Sequence, residues 1–348
     1  MQTKTFFYNI SLLFFLLLFV FSCKNKQTED KNSLIVRYDK LIFELDTNDI
    51  KTQFNKIKES YPEFTEIYFK NVMTFPSYTE NEKEFFVVLK SFITDTNNIK
   101  LYKLVTDEFN NLSELETNLT RTVKNLQKDF PEIKLPRFYT FISAFAYQGF
   151  IFDDKNGSDG LAIGLDMFLG NKFPYNAITD DSNVFADYMV RTYNKDHLTK
   201  KTIELWLDDK IFKSKGSRAI DHIIENGKKL YLMKKIMPEI QDSVLLEYSA
   251  ENMKWLDENE QEMWSYFIKN NFFYTTDEYK IKRLTSPSPN SQALGMPLKS
   301  PGMTGNYLGY RIINTYMRRN KETGMSDLVK NNDAQTILES SKFKPKIR

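Results

Sequence analysis

Histidine carries most hydrolytic and metal chemistry at neutral pH, and this chain holds two in 348 residues. His222 and Glu225 form a His-x-x-Glu pair, the helical spacing that presents two metal ligands together. The surrounding residues favour a plainer reading. At about 100° per residue, Ile220, Ile223, Ile224, Gly227 and Tyr231 share one face, and His222, Glu225 and Lys229 lie opposite as a water-facing stripe. His197 follows Asn194-Lys195-Asp196 and reads as a surface histidine in a turn between helices. The sequence has no His-Glu-x-x-His, no Gly-x-Ser-x-Gly, no phosphate loop and no dinucleotide fingerprint. No metal or other cofactor is implied.

Acidic residues offer a second chemistry. Asp153, Asp166 and Glu260 are candidates for a hydrolase using carboxylates alone, which needs two of them about 5–9.5 Å apart in a cleft. Asp153 to Gly160 (DDKNGSDG) resembles a calcium loop faintly. Counted from Asp154, however, the sixth and twelfth positions hold Asp159 and Leu165 where glycine and glutamate are needed, so a turn is expected. Glu260 sits on an apolar stripe with Leu256, Met263 and Phe267, where a carboxylate must find an arginine or a backbone donor. Tyr147, Phe150, Trp255 and Trp264 are the residues that would line an aromatic ligand pocket.

These residues need a frame. Phe150 to Gly170 places two apolar runs around an Asp/Asn/Gly/Ser cluster, the pattern of a hairpin, and Arg137 to Phe145 reads as a third strand. Leu34 to Leu45 alternates apolar and charged residues as an edge strand or an extended lead-in. Four or five helices are expected from Asp49 to Phe130, one starting at Ser113 with Glu116 in capping-box spacing. After the hairpin, helices are expected over Ser182–Tyr193, Thr199–Phe212, Ser217–Met237, Ser249–Asn271 and Thr304–Arg319. Thr285 to Gly302 is a long irregular segment rich in proline. Gly302, Gly305 and Gly309 recur where glycine costs about 1 kcal/mol relative to alanine, which signals close packing. The fold class is α+β, predominantly helical on a small sheet.

Lys4 and the apolar run Ile10–Phe21 have signal-peptide proportions and end at Ser22-Cys23, like a lipobox. The expected division is a leader over 1–22, a flexible tether over 23–33 acylated at Cys23, one domain over 34–340 that is helical to about 131, and a solvated basic tail over 341–348. Cys23 is the sole cysteine, which excludes disulfides and thiol catalysis from the mature chain. Lys and Arg number 48 against 46 Asp and Glu, interspersed, so nothing argues for nucleic acid.

Several stretches in order carry a family resemblance: Val36-Arg-Tyr-Asp39, Gly164-Leu-Asp166-Met167-Phe-Leu-Gly170, Ile224-Glu225-Asn-Gly227-Lys228-Lys-Leu-Tyr231, Asn259-Glu260-x-x-x-Trp264 and Gly302-Met-Thr-Gly305-Asn-Tyr-Leu-Gly309-Tyr310. Behind a lipobox, the set resembles the GldB family of gliding-motility lipoproteins. The resemblance implies an envelope lipoprotein tied to gliding and its associated secretion machinery, with other envelope proteins as partners. The same family is distantly similar to gluzincin-type zinc peptidases, in which a His-Glu-x-x-His helix is followed by a helix supplying a glutamate. Here Ala186–Arg191, in the first position, has no histidine, while the second would hold Glu225 and Gly227. Zinc catalysis needs about three protein ligands, so the expected protein is non-catalytic and binds through its surface, with the Asp153–Asp159 and Thr285–Gly302 loops as contact surfaces. Lys24-Asn-Lys-Gln lacks an acidic cluster, which favours a position facing the periplasm.

Overall fold

A four-stranded sheet separates two cores. Its strands are β1 (Ile35–Val36), β2 (Arg137–Phe141), β3 (Gly149–Asp154) and β4 (Ser158–Gly164), in the order β1-β2-β4-β3. β2 pairs in parallel with both β1 and β4, whereas β3 and β4 form the expected antiparallel hairpin, with Asp154 opposite Ser158. The computed structural model describes residues 33–346 apart from 182, 213–215, 292, 294 and 298. The leader, Cys23 and the tether up to residue 32 lie outside the described residues, as do residues 347 and 348.

Period-two alternation sends neighbouring side chains to opposite cores. Phe138, Leu161 and Ile163 enter the larger core, and Tyr139, Phe141 and Ala162 the smaller one. With both faces covered, the inner part of each strand, Phe138–Phe141 in β2 and Gly160–Gly164 in β4, is buried on consecutive residues. The smaller core is largely aromatic. Phe64 meets Tyr38 edge-on at 4.6 Å and stacks on Tyr139 at 4.7 Å, and the helices Ile50–Ser60, Pro62–Ile67 and Glu82–Thr94 close over them.

Leu34 to Leu45 is not one extended piece. After β1 the chain turns into the helix Tyr38–Phe43, because Asp39 is drawn inside by Arg37 at 2.7 Å and by the Thr140 hydroxyl. Arg37 also donates to the Phe109 carbonyl at 2.8 Å. The Ser113 capping box does not form. Asn111 accepts from the Ser113 amide instead, and Glu116 accepts from Leu34 N at 2.7 Å, tying its helix to the first strand. β2 stops at Phe141 because Ala144 and Phe145 take left-handed φ angles of 52° and 68°.

In the larger core the helices Ala219–Ile236 and Thr304–Arg319 cross with Gly227 against Gly309, which is the close packing the glycines signalled. Ser249–Asn271 is two helices, Ala250–Glu258 and Glu260–Lys269, broken at Asn259, whose side-chain amide caps the Trp255 carbonyl at 2.7 Å. Over Ser182–Tyr193 the described residues contain only the single turn Asp187–Val190. Two short helices that the sequence reading lacked, Met325–Lys330 and Ala334–Ser341, follow the last long one.

The basic tail keeps Lys342, Lys344 and Lys346 exposed but is pinned at Phe343. Phe343 is buried against Trp264, with ring centroids 5.1 Å apart, and Lys346 N donates to Glu260 Oε1 at 3.1 Å. Among the described residues, no helix is long and apolar enough to cross a membrane.

Candidate functional site

The helix Lys195–Lys210 brings charge into the interior. Lys200 shares a face with Ile203 and Leu207, so its ammonium is carried inward with them and is 3% exposed. There it bonds to Glu204 at 2.6 Å and to Glu247 at 2.7 Å. Lys201 reaches the same Glu247 oxygen at 3.0 Å, and Lys229 adds contacts to Glu204 at 3.4 Å and Asp208 at 2.8 Å. Burial alone would lower the Lys200 ammonium, but the two carboxylates outweigh it and hold it above its ordinary value. Burial likewise opposes ionisation of Glu247, yet Lys200 and Lys201 bring it down to about 2.

Glu247 holds its place at a backbone cost, with φ at 55°. Its carbonyl accepts from Arg191 Nη2 at 2.6 Å. Above this network lies a cleft of about 130 Å³ bounded by Tyr188, Arg191, Lys201, Glu247, Tyr248 and Met303. Met303, at the end of the proline-rich segment, is also left-handed, with φ at 58°. A larger groove of about 480 Å³, with Lys200 in its lining, opens between the helix Ser113–Leu126 and the chain from Met237 to Val244.

His197 is no surface residue. It lies in the first turn of the Lys195–Lys210 helix, capped by Asn194, and burial pushes its imidazole down to about 4. Asp166 is fully buried beneath the left-handed turn. Its Oδ2 accepts from Phe145 N at 2.6 Å and Ser143 N at 3.1 Å, while Oδ1 has no partner. Burial raises it to about 6 in spite of those donors.

The signs of these two shifts oppose. Asp166 titrates higher in the fold than when unfolded, so its contribution to stability is complete below about 3.8 and lost as pH rises through about 6. His197 titrates lower in the fold, so its contribution is present above about 6.5 and lost as pH falls through about 4. Each is worth up to about 3 kcal/mol, and between pH 6.5 and 4 they offset each other. Asp166→Asn is therefore expected to unmask the histidine, with a melting temperature that falls more steeply than the parent's over that window. Parallel parent and variant curves would contradict this.

The other sequence candidates have separate settings. Glu260 is buried as expected, facing Arg311 Nε at 3.0 Å and the Tyr307 hydroxyl at 3.1 Å. Asp153 is exposed near the hairpin turn, opposite Asp159. These two acids and Asp166 share no partner. Glu225 pairs with Lys228 at 3.5 Å, and buried Lys228 reaches the Asn331 carbonyl at 2.5 Å. Met167 is core, while Tyr310 packs at its margin. Gly302 accepts from the Tyr248 hydroxyl at 2.8 Å and forms part of the small cleft, as does Gln148 just before β3. Tyr147, Phe150, Trp255 and Trp264 line neither cavity. Arg191, Lys200, Lys201, Glu204 and Glu247 were not among the sequence candidates. The signal for them was a lysine on an apolar helical stripe.

Comparison with curated proteins and with solved structures yields no match. A family model does match, that of the gliding motility protein GldB, over residues 23–345. That span holds all the ordered motifs, the buried charge network and both cavities, and it begins at Cys23. The chain belongs to the GldB family, and its role lies in gliding motility at the cell envelope.

Proposed function

We propose that the protein is a non-catalytic lipoprotein of the gliding machinery and its associated secretion system, anchored through acylated Cys23, facing the periplasm and working by contact with other envelope proteins. The observation that supports this most is how the interior acids are engaged. Glu204, Glu247 and Glu260 each meet cations of this chain, and Asp166 holds a turn through backbone donors. Among the described residues, no three of His, Cys, Asp and Glu gather as metal ligands do. A peptidase-like ancestry would make the Ala219–Ile236 helix the descendant of the glutamate helix, with Glu225 now paired to Lys228.

The hairpin loop is held by its own fold. Asp154 accepts from the Tyr139 hydroxyl at 2.8 Å, and Asp159 accepts from Trp206 Nε1 at 2.8 Å. The proline-rich segment borders the small cleft through Pro287, Ser288, Pro301 and Gly302, which makes it the contact surface of choice. In cells carrying Glu225→Gln in place of the parent, gliding is expected to persist. Cys23→Ser is expected to release the protein from the membrane fraction and stop gliding. Purified protein that hydrolyses a peptide, and loses that activity on Glu225→Ala or Glu260→Ala, would overturn the proposal.

A further inference from the structure

We propose that the cleft over Arg191 and Lys201 binds a carboxylate carried on a short apolar stem. This deepens the contact reading above and can fail separately from it, because binding in solution tests the cleft and gliding tests the role.

The charges around the cleft do not close. Four cations, Arg191, Lys200, Lys201 and Lys229, face three carboxylates, Glu204, Asp208 and Glu247. Both lysines on Glu247 take the same oxygen, Lys229 is shared between Glu204 and Asp208, and the excess charge falls on Arg191. Its guanidinium makes one hydrogen bond, to the neutral Glu247 carbonyl, and its buried Nε has no partner. Among the described residues no carboxylate lies within ion-pair distance of it. A partly buried cation without a counter-ion is destabilising unless an anion completes it. Burial accordingly lowers its affinity for the proton.

Two left-handed residues, Glu247 and Met303, border the same cleft from different segments. Each such conformation costs of order 1 kcal/mol or more, and such strain gathers at ligand clamps. The character of the site selects the ligand. A planar guanidinium fork matches a carboxylate, and a single excess positive charge is neutralised by a monoanion, whereas a phosphate dianion would leave charge over. Tyr188, Tyr248 and Met303 supply apolar walls, and about 130 Å³ admits a few heavy atoms rather than a folded partner. A small organic acid and the C-terminal residue of a peptide both present this chemistry.

The test uses the full chain in detergent with four probes: 3-methylbutanoate, 3-methylbutanamide, and N-acetyl-Ala-Leu with its C-terminus free or amidated. Calorimetry is expected to show binding by at least one acid, and at least about tenfold weaker binding by its amide. Binding by the free acid alone identifies a small metabolite, and binding by the peptide acid identifies a chain end; either supports the class. Arg191→Lys keeps the charge but loses the fork, and should weaken binding about tenfold. Arg191→Met should abolish binding while leaving the melting temperature unchanged or raised, since it removes an uncompensated cation. Equal binding of acids and amides, displacement by inorganic phosphate at lower concentration than by the acids, no binding by either acid, or a melting temperature lowered by more than about 4 °C in Arg191→Met would each overturn the proposal.

Discussion

Gly309→Ala is expected to destabilise the fold by about 3 kcal/mol or more, although it adds one methyl group and improves intrinsic helix propensity. In an exposed helix the same change gains about 1 kcal/mol. Here an added Cβ would overlap the Ile223 carbonyl, and on the facing helix a Cβ at Gly227 would overlap the backbone of Gly309. Backbone cannot swing aside as a side-chain tip can, so the helices Ala219–Ile236 and Thr304–Arg319 must separate. Separation breaks the Asn226–Asn306 side-chain bond, 2.7 Å long, and opens the core around Ile223, Leu308 and Ile312. Gly227→Ala should cost a similar amount, and the double variant less than the sum, because the first change already moves the helices apart. Urea melts with an unchanged m-value check this. A midpoint at or above the parent's would mean the crossing is not fixed by backbone contact.

That crossing was legible because glycine is costly in a helix and marks its reason for being there. Glu260 was legible on the same logic: a charged residue in an apolar stripe had to find a partner, and Arg311 is it. The sheet followed from β-branched and aromatic runs around a polar turn. The same stripe argument applied to Lys200 and was missed, because a Lys-Lys pair in a charged helix looks like a solvated face. Its partner Glu247 lies 47 residues away, in a turn no local pattern marks. Composition misled at the end of the chain, where four cations hide the one phenylalanine that docks. The helix expected over Ser249–Asn271 broke because an asparagine can cap a helix from within its own pattern. At Lys200 and at the tail a partner distant in sequence outweighed a local preference, whereas at Asn259 the deciding contact lies four residues away.

Lys200→Met tests the most costly of these distant pairings. Methionine fits the buried volume, but it leaves Glu204 and Glu247 in the interior with only Lys201 and Lys229 at their margins. Breaking a buried pair by removing one partner typically costs about 3–5 kcal/mol, and that is the expected loss at pH 7. The exposed pair of Lys51 and Glu82, 2.8 Å apart, supplies the contrast, since water already screens it and Lys51→Met should change little. Acid separates charge from packing. Glu247 titrates at about 2 in the fold and higher when unfolded, so its contribution is present above about 4.5 and disappears as pH falls through about 2. The gap between parent and Lys200→Met should therefore be widest near neutrality and shrink as pH falls below about 4.5, where the unfolded chain takes up the proton while Glu247 in the parent fold stays ionised down to about 2. A packing defect would be as large at pH 3 as at pH 7. Constant separation of the two urea midpoints across that range would show that Lys200 matters for its shape and not for its charge.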